Sequence, residues 1–333
     1  MNALNSNDHV FDVQQNYVNI SGFTVENATG YQKAGIYLNG RQHCNISENN
    51  ASNNDYGIYL SSSSNNSLTN NTANSNNYHG IFLSSSSNNT LMNNTANSNN
   101  YYGIYLSSSS NNTLENNTAL NNDYGIGLDR SSNNTLQNNT VSLSNEYGIY
   151  LYSSSNNTLT NNTASNNNLG IYLSSSSNST LTNNTANSNS NYGIYLYLSS
   201  NSLLYHNNFI NNTNNNAYDT STNQWNTSTV GNYYSDYTGS DNDSDGIGDT
   251  SYQIPGGSSI DYLPLMHPWE KTPLKGDLDD DSQITSKDAA IALQIAVGSR
   301  PFDDAADVSG DGRVSSLDAL IILQNCKAAL CRK

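Results

Sequence analysis

The chemistry in this chain is concentrated in its aspartates. Asp277, Asp279 and Asp281 stand at alternate positions and are followed by Gln283, Thr285 and Asp288. This is the spacing 1, 3, 5, 7, 9, 12 of a twelve-residue calcium loop, in which position 7 offers its carbonyl and position 12 a carboxylate. Thirty residues on, Asp307, Ser309, Asp311, Arg313, Ser315 and Asp318 repeat the pattern. Each loop runs into a similar apolar stretch, Ala289-Ala290-Ile291-Ala292-Leu293 and Ala319-Leu320-Ile321-Ile322-Leu323. A hard cation wants six to eight oxygens on a curved chain, and a duplicated loop–helix unit places two such sets. The first loop has Ser282 where position 6 usually turns on glycine, and the second has the neutral Ser309 at position 3. A third acidic run holds Asp241, Asp243, Asp245 and Asp249 around Gly246, with the Ile247 carbonyl available. It is expected to bind one further Ca²⁺; the competing reading is a flexible acidic turn.

The charge distribution agrees with bound cations. The net charge is −16, and half of it falls after residue 240, in under a third of the chain. Before that point the only bases are Lys33, Arg41 and Arg130. The basic stripe that nucleic acid requires is missing, so no nucleic-acid partner is expected. Adjacent Asp279, Asp280 and Asp281 repel one another until a cation binds, and a segment of about 60 residues buries little core. Without metal the tail is expected to be largely unfolded. No run is long and apolar enough to span a membrane, and no signal peptide is visible. Val10, Phe11, Val18, Ile20 and Phe23 already read as strand, so the sequence is expected to be truncated at its N-terminus. Of the three cysteines, Cys44 is isolated; Cys326 and Cys331 could form a staple or remain free thiols.

What carries this tail is a repeat. Gly35, Gly57, Gly80, Gly103, Gly125, Gly148, Gly170 and Gly193 recur at spacings of 22 or 23. Eleven residues after a glycine come Leu68, Leu91, Leu114, Leu136, Leu159 and Leu181; three later stand Asn71, Asn94, Asn117, Asn139, Asn162 and Asn184. Period-2 alternation in Gly57-Ile58-Tyr59-Leu60 puts Ile58 and Leu60 on one face and Tyr59 on the other. One unit cannot bury its few apolar side chains, but stacked units make a continuous core. Short strands and Asn/Ser turns repeating every 22 to 23 residues predict a right-handed parallel β-helix, with coils stacked about 4.8 Å apart. Eight to nine coils are expected across 10–215. The asparagines are expected to bond coil to coil and to tolerate left-handed corners. The fold class is therefore all-β, right-handed parallel β-helix, followed by a small α-helical paired calcium-loop domain. The expected organisation is repeats over 1–215, a closing segment with the acidic loop over 216–268, a linker over 269–275 and the calcium domain over 276–333.

Units such as Asn93-Asn94-Thr95-Ala96-Asn97 and Tyr147-Gly148-Ile149-Tyr150-Leu151 resemble the β-helix repeats of NosD-like and carbohydrate-associated surface proteins. The stretch from Gly231-Asn232-Tyr233-Tyr234 to Asp261-Tyr262-Leu263-Pro264-Leu265 is similar to the segment that closes such domains. Residues 276–325, with EF-hand-like loops ending in Asp rather than Glu, resemble type I dockerins. That resemblance implies two calcium ions, a cohesin-type partner and an extracellular or cell-surface location. It also implies that loop positions 10 and 11, Ser286-Lys287 and Ser316-Leu317, face the partner. The Lys/Leu difference makes the two faces unequal.

A β-helix hosts lyases, hydrolases and inert adhesins alike. Asp55 and Asp123 share a place in their coils but lie three coils apart, about 14 Å at this rise, too far for paired carboxylate chemistry. Asp129 and Arg130, in the coil where Gly127 replaces the usual aromatic, are the weak catalytic candidates; a tolerated surface substitution is the simpler reading. The NosD resemblance implies copper, but of His9, His43, Cys44, His79, His206 and His267 only His43 and Cys44 are neighbours, and copper needs convergent ligands. Tyr37, Tyr59, Phe82, Tyr105, Tyr150, Tyr172 and Tyr195 occupy one place per coil. They are read as a stabilising ladder, or alternatively as a flat platform for the sugar rings of a polysaccharide or cell-wall glycan. Asn70, Asn93, Asn116, Asn138, Asn161 and Asn183 head Asn-x-Thr triplets, which permit N-glycosylation. The expected function is an extracellular structural or glycan-binding unit anchored by a calcium-dependent dockerin–cohesin contact. The alternatives are a polysaccharide lyase or glycoside hydrolase of a cellulosome-like complex, and a copper-related protein.

Overall fold

The Gly-Ile-x-Leu step becomes one strand per coil. Strands Tyr56–Ser61, His79–Ser84 and Tyr102–Ser107 pair in parallel, with Ile58 opposite Ile81 and Ile81 opposite Ile104. In the computed structural model, which describes residues 1–270, 275–279 and 284–325, these strands belong to a ten-stranded parallel sheet. A nine-stranded sheet carries the Leu68 column, and a six-stranded sheet completes the later coils. The result is a right-handed parallel β-solenoid of about ten turns of roughly 23 residues. That exceeds the eight to nine turns counted from the glycine step. The sheet also takes in Phe11–Val13 at one end and Asn215–Asp219 at the other, neither of which contains the step.

The interior is a stack of like on like. Ile58, Leu60 and Leu68 are fully buried, as are Ile81, Leu83, Leu91, Ile104, Leu106 and Leu114 in the next two coils. The repeated glycine is there because the wall is crowded. A Cβ at Gly57 would come 2.5 Å from the Gly80 carbonyl and 2.8 Å from the Ala73 Cβ, so any side chain would push coils apart.

Buried asparagines run beside this core. In the longest ladder, each Asn donates both its backbone N–H and its Nδ2 to Oδ1 on the next coil. Asn71 reaches Asn94 at 3.0 Å by both routes, and the series continues through Asn117, Asn139, Asn162, Asn184 and Asn207 to Asn232. The second Nδ2 hydrogen goes to a backbone carbonyl, as from Asn71 to Ile46 at 2.8 Å. Buried amides are tolerable only when paired, and here the coil repeat pairs them. Outward corners use left-handed residues, mostly Asn and Ser, with φ near 55°, a conformation these residues reach at low cost.

Such ladders have a direction. Every coil passes donors forward, so the last coil is left with donors and needs an acceptor. Three carboxylates supply it. Asp261 Oδ2 accepts from Asn232 N (2.8 Å) and Nδ2 (3.2 Å). Asp219 accepts from Asn223 Nδ2 at 3.0 and 2.9 Å, and Asp236 from Asn216 Nδ2 at 2.7 Å. Asp219 and Asp261 are fully buried. Burial pushes the Asp261 carboxyl up to about 6, against the pull of its donors from Asn232, Leu263 and Tyr234.

The chain forms two compact units, 1–269 and 270–333. Trp269 belongs to the first: it stacks on His206 at 3.4 Å and exchanges hydrogen bonds with Asn208 at 2.7 and 3.0 Å. In the second unit, α1 (Ser286–Ala296) and α2 (Ser316–Asn325) pack through Ala289, Ala292, Ala319 and Ile322, with Leu278, Ile284 and Val308 against them. No helix among the described residues is long and apolar enough to cross a membrane.

Candidate metal centres and the aromatic face

The first calcium loop brings its carboxylates together. One oxygen each from Asp277, Asp279 and Asp288 lie within 4.8 Å of one another, and Asp277 and Asp288 are buried. Asp288 also builds the helix. Its Oδ1 accepts from Leu278 N (2.7 Å) and Asp279 N (3.2 Å), and its Oδ2 from Thr285 N (2.8 Å) and Oγ1 (2.9 Å). Thr285 caps α1, and Thr285 with Asp288 forms a reciprocal capping box. Loop position 12 therefore ties the loop to the helix start, with two donors on each carboxylate oxygen. Asp281 and Gln283 lie outside the described residues, as do Asp280, Ser282, Cys326 and Cys331.

The second loop repeats this with fewer charges. Asp307 Oδ1 accepts from Gly310 N (2.8 Å), Asp311 N (3.1 Å) and Ser309 Oγ (3.2 Å), and Oδ2 from Gly312 N (2.8 Å). Asp318 accepts from Ser309 N, Ser315 N and Ser315 Oγ, each at 2.9 Å. Burial works against both charges, but these donors outweigh it. They hold Asp307 below the usual carboxylate range and Asp318 at about 2. Carboxylates kept ionised suit a hard cation. Arg313 donates its N–H to Asp311 Oδ1 at 2.9 Å, leaving its side chain out of the loop bond. With Ser309 in place of an acid, this loop does not assemble three carboxylates within 4.8 Å among the described residues.

The positions expected to meet a partner differ. Ser316 and Leu317 are exposed, and Leu320 and Leu323 continue an exposed stripe along α2. Ser286 is half-buried, and the Lys287 ammonium turns back to Asp279 Oδ2 at 2.8 Å.

In the acidic run, Asp241, Asp243 and Asp245 each place an oxygen within 4.8 Å of the other two. Asp249 does not join them; its Oδ2 accepts from Asn242 N (2.8 Å) and Nδ2 (2.6 Å). Asp245 beside it, with burial and a bond to Asp241, pushes Asp243 up. Ile247 pairs with Leu265 in an antiparallel bridge, which fastens the loop to the closing segment.

On the coils, the expected aromatic column is present, as a stack. Tyr59 and Phe82 lie 4.9 Å apart at 16°, Phe82 and Tyr105 5.3 Å at 11°, Tyr150 and Tyr172 5.2 Å at 17°, and Tyr172 and Tyr195 5.1 Å at 18°. Stacked rings cover one another's faces, so the column turns its ring edges outward. At Gly127 the Tyr102 ring crosses over, 4.3 Å from Tyr105 and 4.7 Å from Tyr124, and occupies the space a Cβ would need. Sequence reasoning missed this second column, although its signal stood one place before six of the eight glycines: Tyr56, His79, Tyr102, Tyr124, Tyr147 and Tyr192. His79 is buried among these rings; burial pushes it down to about 3, and its Nδ1 accepts from Tyr102 N at 3.3 Å.

Asp129 and Arg130 close on each other at 2.8 Å, with Tyr105 OH 3.4 Å from the same oxygen. On the adjacent coils Asp129 faces Ser107 and Tyr152, so no second carboxylate stands beside it. Asp55 accepts from Gln32 N (2.7 Å) and Asp123 from Asn145 Nδ2 (2.7 Å), each in its own coil's surroundings. Cys44 is buried, while His43 sits at a corner stacked on Tyr17 at 5.0 Å, so these neighbours diverge.

Fold and loops define a class: a parallel β-helix joined to a duplicated aspartate-loop module. Comparison with known families gives the same division. Residues 9–155 match the right handed beta helix region, residues 96–239 the periplasmic copper-binding protein (NosD), and residues 275–325 the dockerin type I domain. The chain is a β-helix repeat protein with a C-terminal dockerin module. Dockerin domains bind calcium and cohesins, and proteins that carry them are extracellular or on the cell surface. No curated protein matches the chain. Among solved structures it is similar to a variant of the periplasmic alginate epimerase AlgG (23% identity, TM-score 0.50, covering 52% of this chain and 47% of that one). It is also similar to the Dettilon tailspike protein (16%, 0.52, 70% and 55%) and to the active domain of tailspike protein 2 from bacteriophage CBA120 (14%, 0.50, 67% and 41%). The chain spans about half the length of these structures, and the likeness is one of fold.

Proposed function

We propose that this chain is a non-catalytic component of a cellulosome-type assembly, displayed outside the cell through its dockerin module. The carrying observation is the paired loops, whose position-12 aspartates join metal site and helix cap in one group. Two calcium ions are held, one by Asp277, Asp279, Asp281, the Gln283 carbonyl, Thr285 and Asp288. The other is held by Asp307, Ser309, Asp311, the Arg313 carbonyl, Ser315 and Asp318. A third sits at Asp241, Asp243 and Asp245 with the Ile247 carbonyl. Calcium supplies charge neutralisation and a fixed loop curvature; the protein's own residues start the helices. Ser316 and Leu317 then face a cohesin-type domain, with Ser286 and Lys287 as the weaker counterpart. The β-helix serves as a stiff spacer whose ring edges and hydroxyls contact polysaccharide.

Calorimetry of the full chain against a set of cohesin domains, with calcium and with chelator, tests the anchoring. Binding only in calcium is expected; binding that survives chelation would remove the metal from the mechanism. The closed Asp129–Arg130 pair supports a role without turnover. Cleavage or epimerisation of a polyuronate or neutral glycan, lost in Asp129→Asn, would reverse that part of the reading.

A further inference from the structure

The solenoid separates its ladder asparagines from those at its outward corners. Those in the ladders are buried and bonded to the next coil. Those at one outward corner, Asn65, Asn88, Asn111, Asn133, Asn156 and Asn178, have φ between 57° and 59° and are all exposed. Each of these six heads an Asn-x-Ser/Thr triplet. The middle residue is the buried ladder position, and the third opens the next strand with an outward hydroxyl, as in Asn111-Asn112-Thr113. Ladder asparagines never head such a triplet. Two places after Asn89 comes the inward Leu91, and two after Asn71 the inward Ala73.

We propose that this corner is a stripe of N-linked glycosylation sites running along six consecutive coils. It rests on the export of the chain that the dockerin reading implies, because the donor and transferase work outside the cytoplasm. The donor class is an oligosaccharide carried on a lipid pyrophosphate. The Asn side-chain nitrogen forms a bond to the anomeric carbon, the carbon–oxygen bond to phosphate breaks, the lipid pyrophosphate leaves, and the amide proton passes to a base of the transferase. Asn is placed here for a physical reason of its own, since it tolerates the left-handed corner. The hydroxyl two residues on completes the acceptor. The neighbouring stripe begun by Asn70 is less suited: Asn138, Asn161 and Asn183 are only half-exposed.

The geometry also limits occupancy. Consecutive corners are one coil apart, about 4.8 Å, which is narrower than a branched sugar chain. Sugars on adjacent coils collide, so modification falls on roughly alternate coils, about three of the six. A glycan carried there stands off the surface as a hydrated bulk.

The test is expression of the full chain behind an export leader in a eukaryotic secretory host. Intact mass and glycopeptide mapping follow, with and without an amidase that converts glycosylated Asn to Asp. Modification concentrated at Asn65 to Asn178, with adjacent coils rarely occupied on one molecule, is the expected result. Thr113→Val should abolish modification at Asn111 alone, and Thr113→Ser should restore it; both keep a residue suited to the strand start. An unmodified chain recovered from the secretory lumen or medium overturns the proposal, as does modification scattered without regard to corner exposure. Calcium-dependent cohesin binding, measured on the same sample, reports separately on the anchoring reading.

Discussion

The two units of this chain solve the burial of polar groups in opposite ways. The β-helix buries mostly neutral amides and pairs each ladder Asn with the next coil, with Asp219, Asp236 and Asp261 accepting where the ladders end. The dockerin module buries aspartates: Asp277, Asp288, Asp307 and Asp318 are nearly or fully inaccessible. Backbone donors satisfy part of Asp288, Asp307 and Asp318, but like charges crowded within a few ångströms still repel. The β-helix meets most of its buried polar groups from its own ladders, whereas the calcium loops gather charge that a cation would neutralise.

Removing calcium should separate the two most sharply. With chelator, the helical circular dichroism of the full chain should vanish while its β signal and cooperative thermal transition remain. Asp318→Ala is expected to unfold its own loop–helix unit and abolish metal binding there, because the same carboxylate holds Ser309 and Ser315 at the start of α2. Calorimetry should then find one site fewer. A module that stays helical in chelator would erase the distinction between the units.

The second largest effect lies in the body. Leu136→Ala empties a fully buried place between Leu114 and Leu159 and should cost about 2–5 kcal/mol, read by denaturant unfolding. The dockerin helices should be unaffected in calcium. Asn139→Ala is expected to cost nearly as much. It strands the Asn117 donors on one side and removes one of the two donors to Asn162 Oδ1 on the other, and each unmet buried group costs about 1–3 kcal/mol.

Much of this was legible because a repeat states its own register. The 22/23 spacing of Gly57, Gly80 and Gly103 fixes which residues stack, and alternation around Ile58 and Leu60 fixes which face inward. The loop spacing likewise named Asp277, Asp279 and Asp288 before their convergence was visible. What escaped lies where the repeat ends or breaks. Nothing local marks Asp236 and Asp261 as ladder caps, since their partners Asn216 and Asn232 stand on other segments of the closing region; Asp219 caps Asn223, four residues on, outside the repeat spacing. Tyr59 and Phe82 were assigned correctly to one column, but whether their faces point out or at each other depends on side-chain torsions that spacing does not encode. Asp249 carried the right residue type at the right spacing, yet Asn242 holds it away from the triad.

The caps provide a pH test of the same contrast. Burial raises Asp261 to about 6 in the folded state, while the unfolded carboxyl titrates near its ordinary value. Between about pH 4 and 6 the native state therefore binds a proton that the unfolded state has released. Stability of the β-helix should fall as pH rises through this window, by up to about 3 kcal/mol, and then level off. Asp261→Asn should flatten that slope. Denaturant midpoints across the window, with calcium present throughout, would show it. A rise in stability over the same range would mean that the donors from Asn232 and Tyr234 outweigh burial.

The smallest effect concerns one coil that departs from its neighbours. At Gly103 and Gly170 an Ala and a ladder Asn flank the repeated glycine, Ala119 with Asn122 and Ala186 with Asn189. At Gly125 the pair becomes Val141 and Ser144. A Val141 methyl moves into the space and the Ser144 hydroxyl draws back, buried and without a partner. The two substitutions look like one exchange of volume between adjacent inward places. If so, each reversal alone should hurt. Val141→Ala leaves a void, and Ser144→Asn overpacks against valine, at about 1–3 kcal/mol. Together they rebuild the regular coil and reconnect Asn122 to Asn167 through the new amide. The double variant should therefore be at least as stable as the native chain, with a coupling of about 1 kcal/mol or more between the sites. Additive losses would show that the break at Ser144 is independent of Val141, and that this ladder tolerates an interruption for some other reason than packing.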